Sequence, residues 1–445
     1  MTNRRSFLIT MACAAAPLAV SVPARSRAQQ AKAKAATAVT QVFGDGVRLV
    51  AVAIEYDASV GATSLDADGF HVEGRTVVSV FASSSRNPAD RAASGRFVIV
   101  ELSPDDANAG LAQKPAGPMD RQGPGDAASA ARSGPPAGAG TSRGPGNAGD
   151  IPAFDSVYRQ PRAEVTLPGG DRLPTTQVDN LVVDDFRQLV FDDPQTGKRL
   201  RYSLFVPKGY DARRSYPLVL FMHDAGATSE VTRTTLLQGL GAIAWASPED
   251  QAKRPCFVLA PQYAEIIADD DFRTSNALDA TINLIKSLAG QYGIDRRRLY
   301  TTGQSGGCMM SIAMNIKYPD LFAASFLVAG QWDPTLVRPL AKKKLWILVS
   351  QDDDKAWPGE NAITELLEQE GAKVSRAIWD GTWTADQFRA AFDKIDAEGS
   401  PINYVAFRQG TVIPKGQSAA GASGHRNTWR IAYTIAPIRE WIFRQ

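Results

Sequence analysis

The sequence predicts an α/β domain, with a mainly parallel sheet covered by helices on both faces, preceded by a small β-sandwich. Three observations predict it. Pro217–His223 is a nearly unbroken apolar run, as a strand buried on both faces requires. From about residue 180 onward, strand-like and helix-like segments alternate. Residues 41 to 102 carry β-branched alternation instead, with no amphipathic helix.

Residues 1–28 read as an export signal of the twin-arginine type. Arg4-Arg5 precede an apolar stretch from Phe7 to about Val22, and Ser26-Arg27-Ala28 offers small residues for cleavage. The stretch falls short of the roughly 20 residues that span a bilayer, and Pro17 interrupts it. The expectation is therefore an exported chain, periplasmic or secreted, without stable membrane insertion. Residues 29–40 are Ala, Lys, Gln and Thr and read as a frayed tether.

The β-rich unit is expected over residues 41–170. Val47–Ile54, Thr76–Phe81, Phe97–Leu102 and Ala163–Leu167 read as strands, separated by turn residues such as Gly61, Asp66, Asn87, Pro88 and Gly95. Between about 103 and 153 the chain is rich in Gly, Pro and Ala and nearly lacks large apolar residues. Such a stretch buries too little surface to offset its ordering entropy, so a disordered insertion is expected there.

The second unit is expected over 180–445. Its predicted strands are Arg201–Val206, Pro217–His223, Cys256–Ala260, Arg298–Thr302, Ala324–Val328 and Lys344–Val349, with helices over Ser275–Tyr292 and Gly306–Lys317. Ligands of such sheets bind at the carboxyl ends of the strands. Cleavage of the signal would leave Cys256 and Cys308, both read as small buried hydrophobes.

Gly303-Gln304-Ser305-Gly306-Gly307 lies where a buried strand passes into a helix. That is the nucleophile-elbow pattern of the α/β-hydrolase fold, which leaves the serine in a strained conformation beside the helix N-terminus. A serine hydroxyl needs a base. The chain has three histidines, and only His425 follows Ser305, as the order Ser, acid, His requires. It is placed in a flexible loop, Gly421–Asn427, before a terminal helix. The acid should follow the strand ending at Val349, where Asp352-Asp353-Asp354 stand. One of the three must face His425, and spacing alone leaves all three open.

His223-Asp224-Ala225-Gly226 follows the long apolar strand, where this fold places half of its oxyanion hole. Backbone N–H groups of Ala225 and Gln304 are assigned to hold the oxyanion. Asp224 stands where glycine is usual, and aspartate tolerates unusual backbone angles better than most residues, so the loop's geometry is left open. His223 is read as a buttress of this loop and His71 as structural. Tyr263 and Trp332 are assigned to a substrate pocket, and Trp357 and Trp383 fall in similar loops.

The hydrolase part resembles esterases related to polyhydroxybutyrate depolymerases and the group labelled predicted peptidases. Phe221–Gly226, Gly303–Gly307, Tyr318–Ala323, Ala329–Asp333, Ser350–Gly359 and His425 with Thr428-Trp429-Arg430 carry the resemblance. Gly46 to Leu102 resembles the immunoglobulin-like domain that precedes the hydrolase domain in some of these esterases. The family's acid follows a Ser-Glu-Gly-Asp-like turn, which maps onto Ser350-Gln351-Asp352-Asp353 and selects Asp353. The resemblance implies a carboxylesterase acting on short acyl chains. The rival readings are a serine peptidase using the same triad and an inactive exported binding protein. The net charge of +2 gives no reason to expect a nucleic-acid partner. No His/Cys cluster has metal-ligand spacing, so no cofactor is implied. The expected partner is a small-molecule ester, and oligomeric state is not encoded in these features.

Overall fold

The computed structural model describes residues 31–113 and 157–445. The expected export signal and the heart of the Gly/Pro/Ala-rich stretch, expected to be a disordered insertion, lie outside these residues. Among the described residues no helix is long and apolar enough to cross a membrane.

The first unit is built from β1 (Ala33–Phe43), β2 (Gly46–Gly61), β3 (His71–Val72), β4 (Val77–Ser83), β5 (Ser94–Leu102), β8 (Glu164–Thr166) and β9 (Arg172–Asn180), in the order β3-β8-β9-β1-β2-β5-β4. β9 changes partner midway: Arg172–Pro174 pair antiparallel with β8, whereas Thr175–Asn180 run parallel to β1. The two layers are thus joined through one strand. Phe70, Val72 and Val165 share a core with Val52, Ile54, Val98 and Val100. The tether expected at 29–40 is corrected, because Ala33 already opens β1, and Ala36 and Ala38 are fully buried. Their small side chains fit between β2 and β9, and an Ala/Thr alternation does not read as hydrophobic. Residues 103–113 are likewise held to the sheet. Leu49 N–H donates to Ala109 O and Leu111 N–H to Val47 O, before β6 (Ala112–Gln113) pairs with β7 (Val157–Tyr158).

The second unit holds a nine-stranded sheet in the order β10-β11-β13-β12-β14-β15-β16-β18-β17. Its strands are β10 (Arg187–Asp192), β11 (Arg199–Phe205), β12 (Tyr216–Met222), β13 (Phe257–Gln262), β14 (Ile294–Gln304), β15 (Ala324–Val328), β16 (Leu345–Ser350), β17 (Val374–Trp379) and β18 (Ile402–Phe407). The β10–β11 and β11–β13 pairs are antiparallel and the rest are parallel. Every residue of β12, β13, β15, β16 and β18 is buried, which accounts for their continuous apolar sequence. The helices are α1 (Thr234–Leu237), α2 (Leu240–Ala246), α3 (Pro248–Lys253), α4 (Ala277–Gln291), α5 (Gly306–Lys317), α6 (Ala356–Gln369), α7 (Ala385–Asp396), α8 (Ser423–Ala432) and α9 (Ala436–Ile442). From β12 the chain crosses to β13 on one side and returns to β14 on the other. The crevice at this reversal, beyond the ends of β12 and β14, is where such sheets bind ligands.

The two units meet at the β1–β2 turn. A Cβ on Gly44 would stand 2.1 Å from the Arg430 carbonyl oxygen of α8, and one on Gly239, just before α2, 3.1 Å from Gly44 O. Side-chain-free backbone lets the turn seat between the two helices. Gly44→Ala is therefore expected to destabilise the folded chain by about 1–3 kcal/mol, as overpacking does. An unchanged urea midpoint would show that the junction carries no such constraint.

Candidate active site

β14 ends at Gln304 and α5 begins at Gly306, leaving Ser305 between them at φ 52° and ψ −120°. Positive φ in a non-glycine residue costs on the order of 1–3 kcal/mol and persists only where the surroundings enforce it. Two hydrogen bonds do so: Ser305 N–H donates to Val328 O at 3.1 Å, and Met309 N–H donates to Ser305 O at 2.9 Å. The flanking glycines are steric requirements. A Cβ on Gly303 would lie 2.4 Å from the Gly307 carbonyl, and one on Gly307 2.0 Å from Met222 O. The turn thus lifts the Ser305 hydroxyl into the crevice between β12 and β14.

His425 Nε2 stands 2.8 Å from Ser305 Oγ, and His425 Nδ1 is hydrogen-bonded to Asp353 Oδ2. With Nδ1–H donating to the carboxylate, Nε2 is the acceptor for the serine proton. His425 is the third residue of α8, so the flexible loop expected around it is corrected. The reason lies at Gly424, where a Cβ would meet Asp352 O at 2.3 Å. The first turn of α8 docks directly on the Asp352–Asp353 backbone because that position has no side chain.

The three adjacent aspartates have separate tasks. Asp353 is buried, and its Oδ1 accepts from Lys355 N–H at 3.1 Å and Ala356 N–H at 2.9 Å. Burial pushes its carboxyl up, but the hydrogen bond and charge of His425 and these two N–H groups outweigh burial. Asp353 is held below the usual carboxylate range. Asp352 accepts from Gly410 N–H, at 2.8 Å to Oδ2, and anchors the following loop. Asp354 is at the rim of the crevice.

The loop after β12, whose geometry the sequence leaves open, starts with Asp224 in ordinary extended backbone, φ −75° and ψ 169°. Its carboxylate accepts from Gly226 N–H at 2.8 Å and from Gln304 Nε2 at 2.9 Å. His223 is buried, its Nδ1–H donates to Asp224 O at 2.7 Å, and its Nε2 accepts from Tyr263 N–H at 3.0 Å. Burial lowers its pKa, which keeps the ring neutral and consistent with that pair of bonds. The Gln304 assignment is corrected. Gln304 precedes the serine and is buried in β14, whereas Gly306 follows the serine, opens α5 and lines the crevice with Ala225. A Cβ on Gly306 would lie 3.8 Å from Ala225 N, so the two residues adjoin at the crevice. Neither donates to a backbone carbonyl among the described residues.

The crevice encloses about 250 Å³ and is lined by Ser305 and His425 together with Ala268, Asp270, Met309, Gln331, Asp354, Lys355 and Ala422. Tyr263 and Trp332 are not among its walls, which corrects their assignment to a substrate pocket. Tyr263 is buried with its ring against His223 and its hydroxyl 3.0 Å from Thr281 Oγ1, and Trp332 is buried with its ring against Phe272. Trp383 is half-buried and packs on Trp379 and Phe388. Sequence reasoning missed Asp270, Lys355, Gly424 and Glu360, which carry no motif of their own. Among the described residues no group of three or more His, Cys, Asp or Glu side chains could hold a metal ion.

Residues 35–167 match the esterase Ig-like N-terminal domain, and residues 200–332 match the esterase PHB depolymerase family. Two curated relatives share short stretches. One is acetylxylan esterase A of Aspergillus ficuum, 40% identical over 11% of this chain, and the other acetylxylan esterase A of Emericella nidulans, 45% identical over 13%. The matches span 16% of the length of each of these relatives. The crystal structure of a thermostable esterase superposes with a TM-score of 0.71 at 24% identity, covering 93% of this chain and 99% of the other, which shows the common two-unit fold.

Glu360, on α6, sits beneath the site. It is buried, its Oε1 accepts from Gly330 N–H at 3.2 Å, and Oε2 has no partner among the described residues. Burial, and to a lesser extent the nearby Asp353 charge, raise its pKa well above the ordinary value. The folded chain therefore holds a proton here that the unfolded chain releases above about pH 4.3. Stability falls as pH rises from that value toward the raised folded value. Glu360→Gln removes this dependence, so the variant's melting temperature should exceed that of the parent at pH 8 and approach it near pH 4. A parent–variant difference that is flat with pH would contradict a protonated Glu360.

Proposed function

We propose, from the premise that this chain belongs to the esterases that join an Ig-like N-terminal domain to an α/β-hydrolase domain, that it is an exported serine carboxylesterase. It would hydrolyse short- to medium-chain esters through an acyl-enzyme on Ser305. The observation that carries the reading is the hydrogen-bonded line Ser305–His425–Asp353 opening into a crevice that Ala225 and Gly306 also line.

In the proposed reaction Ser305 Oγ attacks the ester carbonyl while His425 Nε2 takes its proton. The Ala225 and Gly306 N–H groups receive the oxyanion, a contribution of roughly 3 kcal/mol per donor. Asp353 fixes the His425 tautomer and stabilises the imidazolium. His425 returns the proton to the leaving alcohol, and the ester C–O bond breaks. Water activated by the same nitrogen then releases the carboxylic acid and restores Ser305. The short stretches shared with acetylxylan esterases favour acetyl as the acyl group. Residues 1–28 supply the proposed export signal, placing the enzyme in the periplasm or outside the cell. The intact Ser305–His425 bond weighs against the inactive binding protein.

Hydrolysis of p-nitrophenyl acetate, butyrate and octanoate by the parent beside Ser305→Ala tests this reading. Turnover that disappears in the variant is expected, and equal near-background rates for both would overturn it. Asp353→Asn should lower kcat by about 10⁴-fold through the wrong imidazole tautomer. A variant that keeps the parent's kcat at pH 8 would place the acid elsewhere.

A further inference from the structure

The segment between β13 and α4 lines the crevice through Ala268, Asp269 and Asp270. Ala268 and Thr274 form an isolated antiparallel bridge at its base. Asp269 is buried there, and its carboxylate accepts from the N–H groups of Asp271 and Arg273, both at 3.0 Å. Phe272 is held at φ 59°, and its ring rests on Trp332 at 5.8 Å. These contacts fix Asp270 at the tip. From there Asp270 Oδ1 accepts from Gln331 Nε2 at 2.8 Å and Oδ2 from Lys355 Nζ at 2.9 Å. One carboxylate thereby ties together the segments that follow β13, β15 and β16. Gln331 is itself set from below, since a Cβ on Gly359 of α6 would stand 2.5 Å from Gln331 Cβ.

We infer that Asp270, through its bridge to Gln331 and Lys355, is the residue that limits acyl-chain length in this crevice. The inference rests on the serine-esterase reading above. The tetrahedral carbon on Ser305 has four substituents: Oγ, the oxyanion toward Ala225 and Gly306, the leaving oxygen toward His425, and the acyl chain. In this proposal the acyl chain takes the direction left over, toward Ala268, Met309 and Gln331 of the crevice lining. A short chain meets the apolar surface of Ala268 and Met309. A longer one runs against the bridge, where advancing methylenes would strip water from a carboxylate and an ammonium that stay partly hydrated. Burying a charge beside hydrocarbon is strongly unfavourable, whereas each methylene in a hydrophobic pocket contributes only about 1 to 3 kcal/mol. The bridge therefore wins, and acetyl and butyryl esters are preferred over octanoyl.

The test compares the octanoate-to-acetate ratio of kcat/KM for p-nitrophenyl esters in the parent, Asp270→Ala and Asp270→Asn. A constant leaving group confines the comparison to the acyl side. Both variants remove the carboxylate that holds Lys355 Nζ at the wall, and Asp270→Asn does so while keeping the side chain's volume. The ratio should rise about tenfold or more in each. Melting temperatures establish that the variants are folded, and if Asp270→Ala is not, Asp270→Asn decides. A parent that turns over acetate in a Ser305-dependent way, with the same ratio in both variants, would overturn the role of the bridge while leaving the esterase reading intact. A parent with no Ser305-dependent turnover would instead overturn the reading on which it rests.

Discussion

Everything at the site depends on the backbone of Ser305 being held at positive φ. Its N–H and its carbonyl are each bonded, to Val328 O and from Met309 N–H, so the strained turn is fixed from both ends. β14 can turn into α5 there because Gly303 and Gly307 let backbone touch backbone. With the turn fixed, the hydroxyl position is fixed, and the remaining groups need only be brought to it.

The groups arrive by the same device. Gly424 lets α8 rest on the Asp352 backbone, which places His425 against Asp353, and Gly359 lets Gln331 settle onto α6. Glu360 accepts from Gly330 N–H in the segment that also supplies Val328 O to Ser305. α6 and α8 therefore act as supports under the site, and the β1–β2 turn reaches α8 from the first unit through Gly44. Precision at the proposed base comes from packed backbone and short regular elements rather than from long loops.

Much of this was legible in the sequence for a physical reason. Buried parallel strands read as continuous apolar runs, so β12, β13, β15 and β16 announced themselves, and the elbow at Gly303–Gly307 marked the end of β14. Chain order then left His425 as the histidine that the structure brings to Ser305. The misreadings have a common origin in contacts between segments distant in sequence. Residues 29–40 read as a tether because the alanines of β1 are small to suit neighbours that the sequence does not reveal. Gly421–Asn427 looked like a loop because Gly424 serves a helix docking site. Tyr263 and Trp332 were assigned to a pocket by their position at strand ends, whereas their burial is decided by His223, Thr281 and Phe272. Gln304 and Gly306 flank the same serine, and only the direction of the turn decides which N–H faces the crevice.

The central claim is that Ser305 is the nucleophile and that His425 activates it. Labelling the folded chain with a fluorophosphonate, followed by peptide mass mapping, tests this most directly. The account predicts one adduct, on Ser305, formed rapidly in the parent and at least a hundredfold more slowly in His425→Ala, as loss of a general base implies. An adduct on another residue, or equal labelling rates in the two proteins, would contradict it.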